Sequence, residues 1–185
     1  MRYPTLPLLL LVIVPAIASA EVIDFEDLGH SGGGTHMPDT YAGLRWDISA
    51  WHYLSASSGN NYLALSTSST LVLAASASAE FYFHGADFWS RRAADANADF
   101  YFVLYRDGVT VYNGLEDSNG RQRFDGVPGH FTPAYNGLID AFALAFDNDD
   151  YDHLAMDNLN IAVVPEPASA SLLALAFLAS GRRRR

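Results

Sequence analysis

A chain of 185 residues has room for one ordinary domain with short terminal segments, and an apolar content of 50% excludes a largely disordered protein. It contains no cysteine, which excludes a disulfide framework and a thiolate metal site. Because 5 of the 11 basic residues but only 1 of the 21 acidic residues lie outside residues 21–164, that span sets 6 basic against 20 acidic groups, which excludes nucleic acid as a partner.

The N-terminal segment has the order of parts found in a secretory signal peptide. Arg2 precedes an apolar run over residues 6–17, which is followed by Ala18-Ser19-Ala20. Small residues at the −3 and −1 positions favour cleavage after Ala20, so we predict that residues 1–20 are a signal peptide and that the mature chain starts at Glu21. The alternative, a permanent membrane anchor, is disfavoured because the apolar run is short.

Residues 21–164 have the pattern of an all-β domain. Apolar and polar residues alternate with period two between turn-forming Gly, Asn and Asp residues, without a convincing amphipathic helix. The predicted strands cover 22–27, 61–65, 80–83, 86–89, 99–105, 109–112, 129–131, 140–146 and 153–164. Short strands in this number favour two packed sheets, and we predict an antiparallel β-sandwich of the jelly-roll type.

Two local patterns within this domain are specific. Asp107-Gly108 separates two β-prone runs and predicts a tight hairpin. Phe142, Leu144 and Phe146 share one face of their strand and are expected in the core. The segment 66–79 is rich in Ser and Ala, and a short helix is an alternative to a strand there.

The C-terminal segment combines a Pro-Glu-Pro motif, an apolar stretch and a basic end. Pro165-Glu166-Pro167 precedes small and apolar residues at 168–181 and then four arginines. We predict a short apolar helix for this stretch, about 21 Å long and therefore shorter than a hydrocarbon core of about 30 Å. The prolines keep the preceding segment extended and accessible, which is the form expected of a sorting signal over residues 165–185.

This tail resembles the PEP-CTERM sorting signal of Gram-negative bacteria, since all three parts occur in order. The resemblance implies export through the inner membrane and transient insertion of the C-terminal segment. It also implies an exosortase-type processing enzyme that cleaves near Pro165, Glu166 and Pro167 and transfers the chain to the cell surface or the extracellular matrix of a biofilm. An ordinary short tail anchor is the alternative.

A second resemblance covers the domain itself. The segments 25–28 (Phe-Glu-Asp-Leu), 41–46 (Tyr-Ala-Gly-Leu-Arg-Trp), 133–140 and 156–159 (Met-Asp-Asn-Leu) are similar, in this order, to segments of many secreted bacterial proteins with such a tail. Those proteins look like jelly-roll modules of the carbohydrate-binding kind. The resemblance implies the fold more strongly than the function.

Acidic residues form two candidate calcium sites. Glu26 and Asp27 follow the first predicted strand and Asp157 lies in the last, and these strands are neighbours in jelly rolls, so their carboxylates are expected to meet and bind calcium. Asp147, Asp149 and Asp152 lie in one dense acidic loop and form the second candidate. The alternative for each is a solvated turn whose side chains bond to local backbone.

Aromatic side chains near loops and strand ends suggest sugar binding. Trp51, Tyr53 and Trp89 are candidates, because a sugar ring stacks its C–H face on an aromatic ring beside polar groups. Core packing is the alternative for each of them, and we expect Trp46 in the core.

The sequence contains no convincing catalytic site. It contains no H-E-x-x-H motif and no recognisable Ser/His/Asp arrangement, so we predict a non-catalytic matrix protein that binds polysaccharide. One alternative is a structural or adhesive protein without glycan binding. The other is a jelly-roll glycan-degrading enzyme, which needs two carboxylates across a cleft.

Overall fold

A computed structural model of the chain describes residues 19–66, 71–74, 76, 79–92, 99–146 and 154–164. These residues belong to one compact unit, Ala18–Glu166. Most of the predicted signal peptide, the whole sorting tail from Pro165 to Arg185, and the acidic loop with Asp147, Asp149 and Asp152 lie outside the described residues. Within the described ranges, no helix has the length and apolar character that crossing a membrane requires.

The described residues form two antiparallel sheets packed as a sandwich, which confirms the predicted all-β architecture. The strands, numbered in chain order, are β1 Ser19–Ile23, β2 Thr35–His36, β3 Thr40–Tyr41, β4 Leu44–Trp46, β5 Trp51–Ser55, β6 Asn61–Leu65, β7 Val72–Ala74, β8 Glu80–Ser90, β9 Asp99–Arg106, β10 Val109–Asn113, β11 Arg121–Arg123, β12 Gly129–Phe131, β13 Leu138–Ile139, β14 Ala141–Phe146 and β15 Leu154–Val164. A 3-10 helix, Glu26–Leu28, follows β1.

The first sheet is built around the two longest strands. Its order is β12-β8-β15-β6-β5-β2, with β13 also pairing with β8 and β1 with β15. On one side of β15, Met156 pairs with Leu63 of β6, and further along Leu159 pairs with Ile23 of β1. The first and last strands of the domain are therefore neighbours, as predicted.

The second sheet has the order β10-β9-β14-β7-β4-β3, with β11 also pairing with β9. Aromatic rings from both sheets meet in the core between them: the rings of Phe83 and Phe142 stack with centroids 4.6 Å apart, and those of Phe88 and Phe100 lie 4.9 Å apart. Their burial removes large apolar areas from water, which is the main force that holds the sheets together.

The predicted face of β14 and the predicted hairpin are both confirmed. Phe142 and Leu144 are buried, and Phe146 packs against the same core. β9 and β10 are joined by Asp107 and Gly108, which have φ values of 52° and 72°. Positive φ at both central residues matches the right-handed twist of the paired strands, and Asp-Gly tolerates it.

Two strand boundaries differ from the sequence-based expectation. The separate strands predicted at 80–83 and 86–89 are one strand, β8, which passes through Gly85 at φ 100°. A Cβ at Gly85 would lie 2.1 Å from the Phe131 carbonyl oxygen, so glycine here permits close approach of β12 rather than a turn. The strand predicted over 22–27 ends earlier, at Ile23, because Phe25 adopts φ 61° and starts the 3-10 helix.

Candidate functional site

An open cleft of about 300 Å³ lies on the outer face of the first sheet. It spans β8, β15 and β6 and is bordered by the turn between β5 and β6. The lining residues are mainly polar or aromatic: Ala56, Ser58, Asn60, Asn61, Tyr62, Asp87, Trp89, Pro128, Asp157 and Asn158. We refer to this group as the Trp89 cleft.

Alternation along the strands places the aromatic and acidic side chains of the Trp89 cleft on one face. Phe88 is buried against the second sheet, so its neighbours Asp87 and Trp89 point outward and are partly exposed. Tyr62 is outward for the same reason, since Leu63 is buried. The rings of Tyr62 and Trp89 lie 5.5 Å apart with 57° between their planes, which forms an angled aromatic wall.

Hydrogen bonds hold the Asp87 carboxylate at both oxygens. His130 Nδ1 lies 2.8 Å from Asp87 Oδ1, and the Asn158 side-chain amide donates to Asp87 Oδ2 at 2.8 Å. The other ring nitrogen of His130 lies 3.2 Å from the His84 carbonyl oxygen. Asp87 therefore has a defined orientation beside the aromatic wall.

Asp157 lies directly opposite Asp87 in the register of β15 and β8. Like charges in this position repel each other. The pKa of the Asp157 carboxyl is raised to about 6, mainly by burial and also by the nearby negative charges of Glu26, Asp87 and Asp24, although a hydrogen bond from the Asn158 backbone N–H opposes the rise. The centre of the cleft is thus strongly acidic.

A β-bulge shapes this part of β15. Three steps along β15, from Asp157 to Asn160, are matched by two steps along β8, from Asp87 to Gly85. Asn158 adopts φ 50° within this bulge, a conformation that Asn accepts more readily than most residues. The bulge directs the Asn158 amide to Asp87, and bulges of this kind commonly re-aim side chains at binding sites.

The floor of the cleft is fixed from below by a buried amide. Asn61 donates from its side chain to the carbonyl oxygens of Phe25 at 2.9 Å and Gly29 at 3.1 Å, and its backbone N–H donates to Glu26 Oε1 at 3.0 Å. The 3-10 segment after β1 is therefore tied to the start of β6, at the residue before Tyr62.

Of the three aromatic candidates from the sequence, Trp89 alone lines this cleft. Trp51 is 0% exposed and packs edge-on against Trp46 with ring centroids 5.7 Å apart. A ring without exposed surface cannot stack on a sugar, so the structure argues against the sugar-binding role expected for Trp51. Tyr53 is partly buried against the core and is not among the lining residues. Both residues lie at alternate positions of β5 that face inward, a side the sequence pattern alone left open. Trp46 is in the core, as predicted.

Several lining residues were not singled out by the sequence. Tyr62, Asp87 and Asn60 come from two separate parts of the chain. Asp87 and Trp89 are two residues apart in a predicted strand, so period-two alternation is a signal that places them on one face. The sequence carries no comparable signal that brings Tyr62 next to them.

The carboxylates proposed for calcium at the domain ends have protein partners. Asp27 accepts a hydrogen bond from the Tyr41 hydroxyl, Glu26 accepts one from the Asn61 backbone, and Asp157 Oδ1 accepts one from the Asn158 N–H at 2.7 Å. Among the residues that the structure describes, no group of three or more His, Cys, Asp or Glu side chains has a metal-binding arrangement. The second candidate, Asp147 with Asp149 and Asp152, lies outside those residues.

A second cleft, of about 330 Å³, opens on the other sheet. Its exposed apolar lining is aliphatic, with Ile48, Leu71 and Leu73, and Arg45 adds a positive charge. Trp46 contributes little surface because it is 2% exposed. This cleft offers no accessible aromatic face among its lining residues, in contrast to the Trp89 cleft.

Comparisons with known proteins add no family to this description. The chain matches no protein-family model, and no curated protein sequence matches it. The two resemblances described from the sequence therefore rest on their short motifs alone.

Proposed function

We propose that this chain is an exported, surface-sorted and non-catalytic jelly-roll protein that binds polysaccharide in the extracellular matrix or biofilm of a Gram-negative bacterium. The observation that carries the proposal is the Trp89 cleft. It combines two outward aromatic rings with oriented polar groups, which is the chemistry that recognises a sugar.

The dimensions of the cleft suit a small unit of a longer chain. Its volume is at the lower end of the range for small-molecule sites, and it is open at the surface of a sheet instead of enclosed. Ser58, Asn60 and Asn158 supply donors and acceptors for sugar hydroxyls beside the rings.

Delivery to the surface rests on the sequence of the two ends. Residues 1–20 act as a cleaved signal peptide in this proposal, and residues 165–185 act as a PEP-CTERM sorting signal for an exosortase-type enzyme. The β1–β15 pairing is compatible with cleavage after Ala20, because Glu21, Val22 and Ile23 remain paired with β15.

The test is binding of the full chain to a panel of immobilised polysaccharides, compared with two alanine variants. Trp89→Ala removes the larger ring of the cleft and is expected to weaken binding by about 5- to 10-fold, since stacking contributes on the order of 1–1.5 kcal/mol. Tyr105→Ala is the matched control, because Tyr105 is an outward aromatic residue on the other sheet. Equal binding by both variants contradicts the proposal.

A glycan-degrading enzyme is the second candidate, favoured by the adjacent carboxylates of Asp87 and Asp157. The raised pKa of Asp157, about 6, is the kind of shift that suits a general acid. However, the two residues lie side by side on neighbouring strands, and both oxygens of Asp87 are already hydrogen-bonded. Release of reducing sugar from a bound polysaccharide, abolished in Asp157→Asn, would establish this activity.

A further inference from the structure

We infer that the Trp89 cleft recognises a sugar unit that carries a protonated amine, and that it discriminates against uronate, sulfated and phosphorylated sugars. This inference rests on the proposed polysaccharide binding and specifies its ligand class. It follows from the charge of the lining residues, the free acceptor capacity of one carboxylate and the position of the aromatic rings.

Among the residues that the structure describes, the lining of the cleft includes two carboxylates and no lysine or arginine. Asp87 and Asp157 are the charged lining residues, and His130 is the basic group in contact with them, through Asp87 Oδ1. Glu26 and Asp24 add negative charge close to Asp157. An anionic sugar would enter this field against repulsion, whereas a cationic one is attracted.

Asp157 retains an acceptor for such a cation. Its Oδ1 accepts the Asn158 N–H at 2.7 Å, and among the described residues no hydrogen bond reaches its Oδ2. Asp87, by contrast, has both oxygens occupied and serves to increase the negative field. A partly buried carboxylate opposite another carboxylate is stabilised most by a ligand that brings a positive charge and several N–H donors.

The aromatic rings explain why the cation belongs to a sugar. The carboxylates are sufficient to bind an ammonium group. Trp89 and Tyr62 add an aromatic surface that stacks with the apolar face of a pyranose ring. The ring faces also attract an ammonium group directly.

The test uses the full chain and calorimetric titration with tetramers of glucosamine, N-acetylglucosamine and galacturonic acid. We expect the glucosamine tetramer to bind at least about 10-fold more tightly than its acetylated counterpart, and the galacturonic acid tetramer to bind most weakly. The preference for glucosamine should decrease as salt is raised from low to high concentration, because the charges are screened.

Three variants separate the contributions. Asp157→Asn is expected to remove most of the preference while binding of the acetylated tetramer persists, and Trp89→Ala is expected to weaken both. Asp107→Asn is the matched control: it removes one carboxylate from the exposed β9–β10 hairpin, at a φ of 52° that asparagine accepts. It should leave both affinities unchanged.

Several results would overturn the inference. Equal affinity for the glucosamine and acetylated tetramers, both sensitive to Trp89→Ala, refutes the charge preference and leaves the proposed polysaccharide binding intact. Tightest binding of the galacturonic acid tetramer refutes it as well. If a tetralysine peptide binds as tightly as the glucosamine tetramer and Trp89→Ala has no effect on it, the cleft recognises a basic protein instead of a sugar. If none of the tetramers binds, the inference fails, and the polysaccharide panel decides the proposed function separately.

Discussion

Asp157→Asn is expected to stabilise the folded domain at neutral pH. In the native state the Asp157 carboxyl has a pKa of about 6, against an ordinary value of 3.8, because burial and the neighbouring carboxylates disfavour its charged form. Ionisation of Asp157 therefore opposes folding. Asparagine retains an oxygen that can accept the Asn158 N–H but carries no charge.

The sign and the pH window follow from the raised pKa. The native state holds the Asp157 proton more tightly than the unfolded state, so the free energy of unfolding decreases as pH rises from about 3.8 to about 6 and stays reduced above that. A rise in pKa from 3.8 to about 6 corresponds to about 3 kcal/mol of unfolding free energy before solvent screening is taken into account. Because the side chain is only partly buried, solvent screening reduces the expected effect to about 1–2 kcal/mol.

Urea denaturation of the full chain at pH 7.5 and at pH 3.5 measures this effect. Asp157→Asn should be more stable than the natural chain by about 1–2 kcal/mol at pH 7.5, and the difference should nearly vanish at pH 3.5, where both forms of the side chain are neutral. Asp107→Asn provides the control, with an expected change of less than about 0.5 kcal/mol at either pH. A loss of stability in Asp157→Asn at pH 7.5 would refute the reasoning, as would a gain that does not depend on pH.

Four further predictions concern packing, ions and processing. Gly85→Ala should lower the free energy of unfolding, measured by urea denaturation, by about 3 kcal/mol or more, because the added Cβ clashes with the Phe131 carbonyl oxygen and φ is positive. Gly108→Ala is the control: φ is also positive there but the added Cβ meets no other atom, so the expected loss is only about 1 kcal/mol. Trp51→Ala should lower the free energy of unfolding by about 3–5 kcal/mol, because Trp51 is fully buried. Trp51→Phe should lower it by clearly less, since the buried indole N–H has no hydrogen-bond partner among the described residues and its removal breaks no hydrogen bond. Equal losses in the two variants would contradict this. If calcium binds as the acidic residues suggest, chelation should lower stability by about 2.7 kcal/mol for a site held at a hundredfold over its Kd, and an unchanged Tm would exclude both calcium hypotheses. Mass spectrometry of the surface form should find a chain that starts at Glu21 and lacks Arg185; an intact arginine terminus would contradict the sorting proposal.

The stability expected of Asp157→Asn also has a functional meaning. A charged residue that destabilises the fold and lines a cleft fits a binding role, because functional sites often carry charges that the fold itself does not need. The variant that gains stability is the variant that should lose ligand preference.

Local sequence patterns were sufficient to predict the class of fold and the elements with strong local signals. Alternation of apolar and polar residues predicted the all-β sandwich, because a strand exposes its two faces to different surroundings. The Asp107-Gly108 hairpin and the inward face at Phe142 and Leu144 could also be predicted from the sequence, since each depends on residues close together in the chain. The pairing of the first and last strands was inferred from the fold type, and β1–β15 pairing confirms it.

Sequence patterns could not predict which aromatic and acidic residues form a site, because that depends on how distant strands pair. Trp51 and Trp89 both lie in β-prone segments with similar sequence patterns. The side chain of Trp51 faces the core, whereas that of Trp89 faces outward into the cleft. Tyr62, Asp87 and Asp157 are far apart along the chain and become neighbours because β6, β15 and β8 are adjacent in one sheet. The physical reason is that strand pairing acts between distant segments, and a period-two pattern indicates that a strand has two faces without indicating which partner lies beside it.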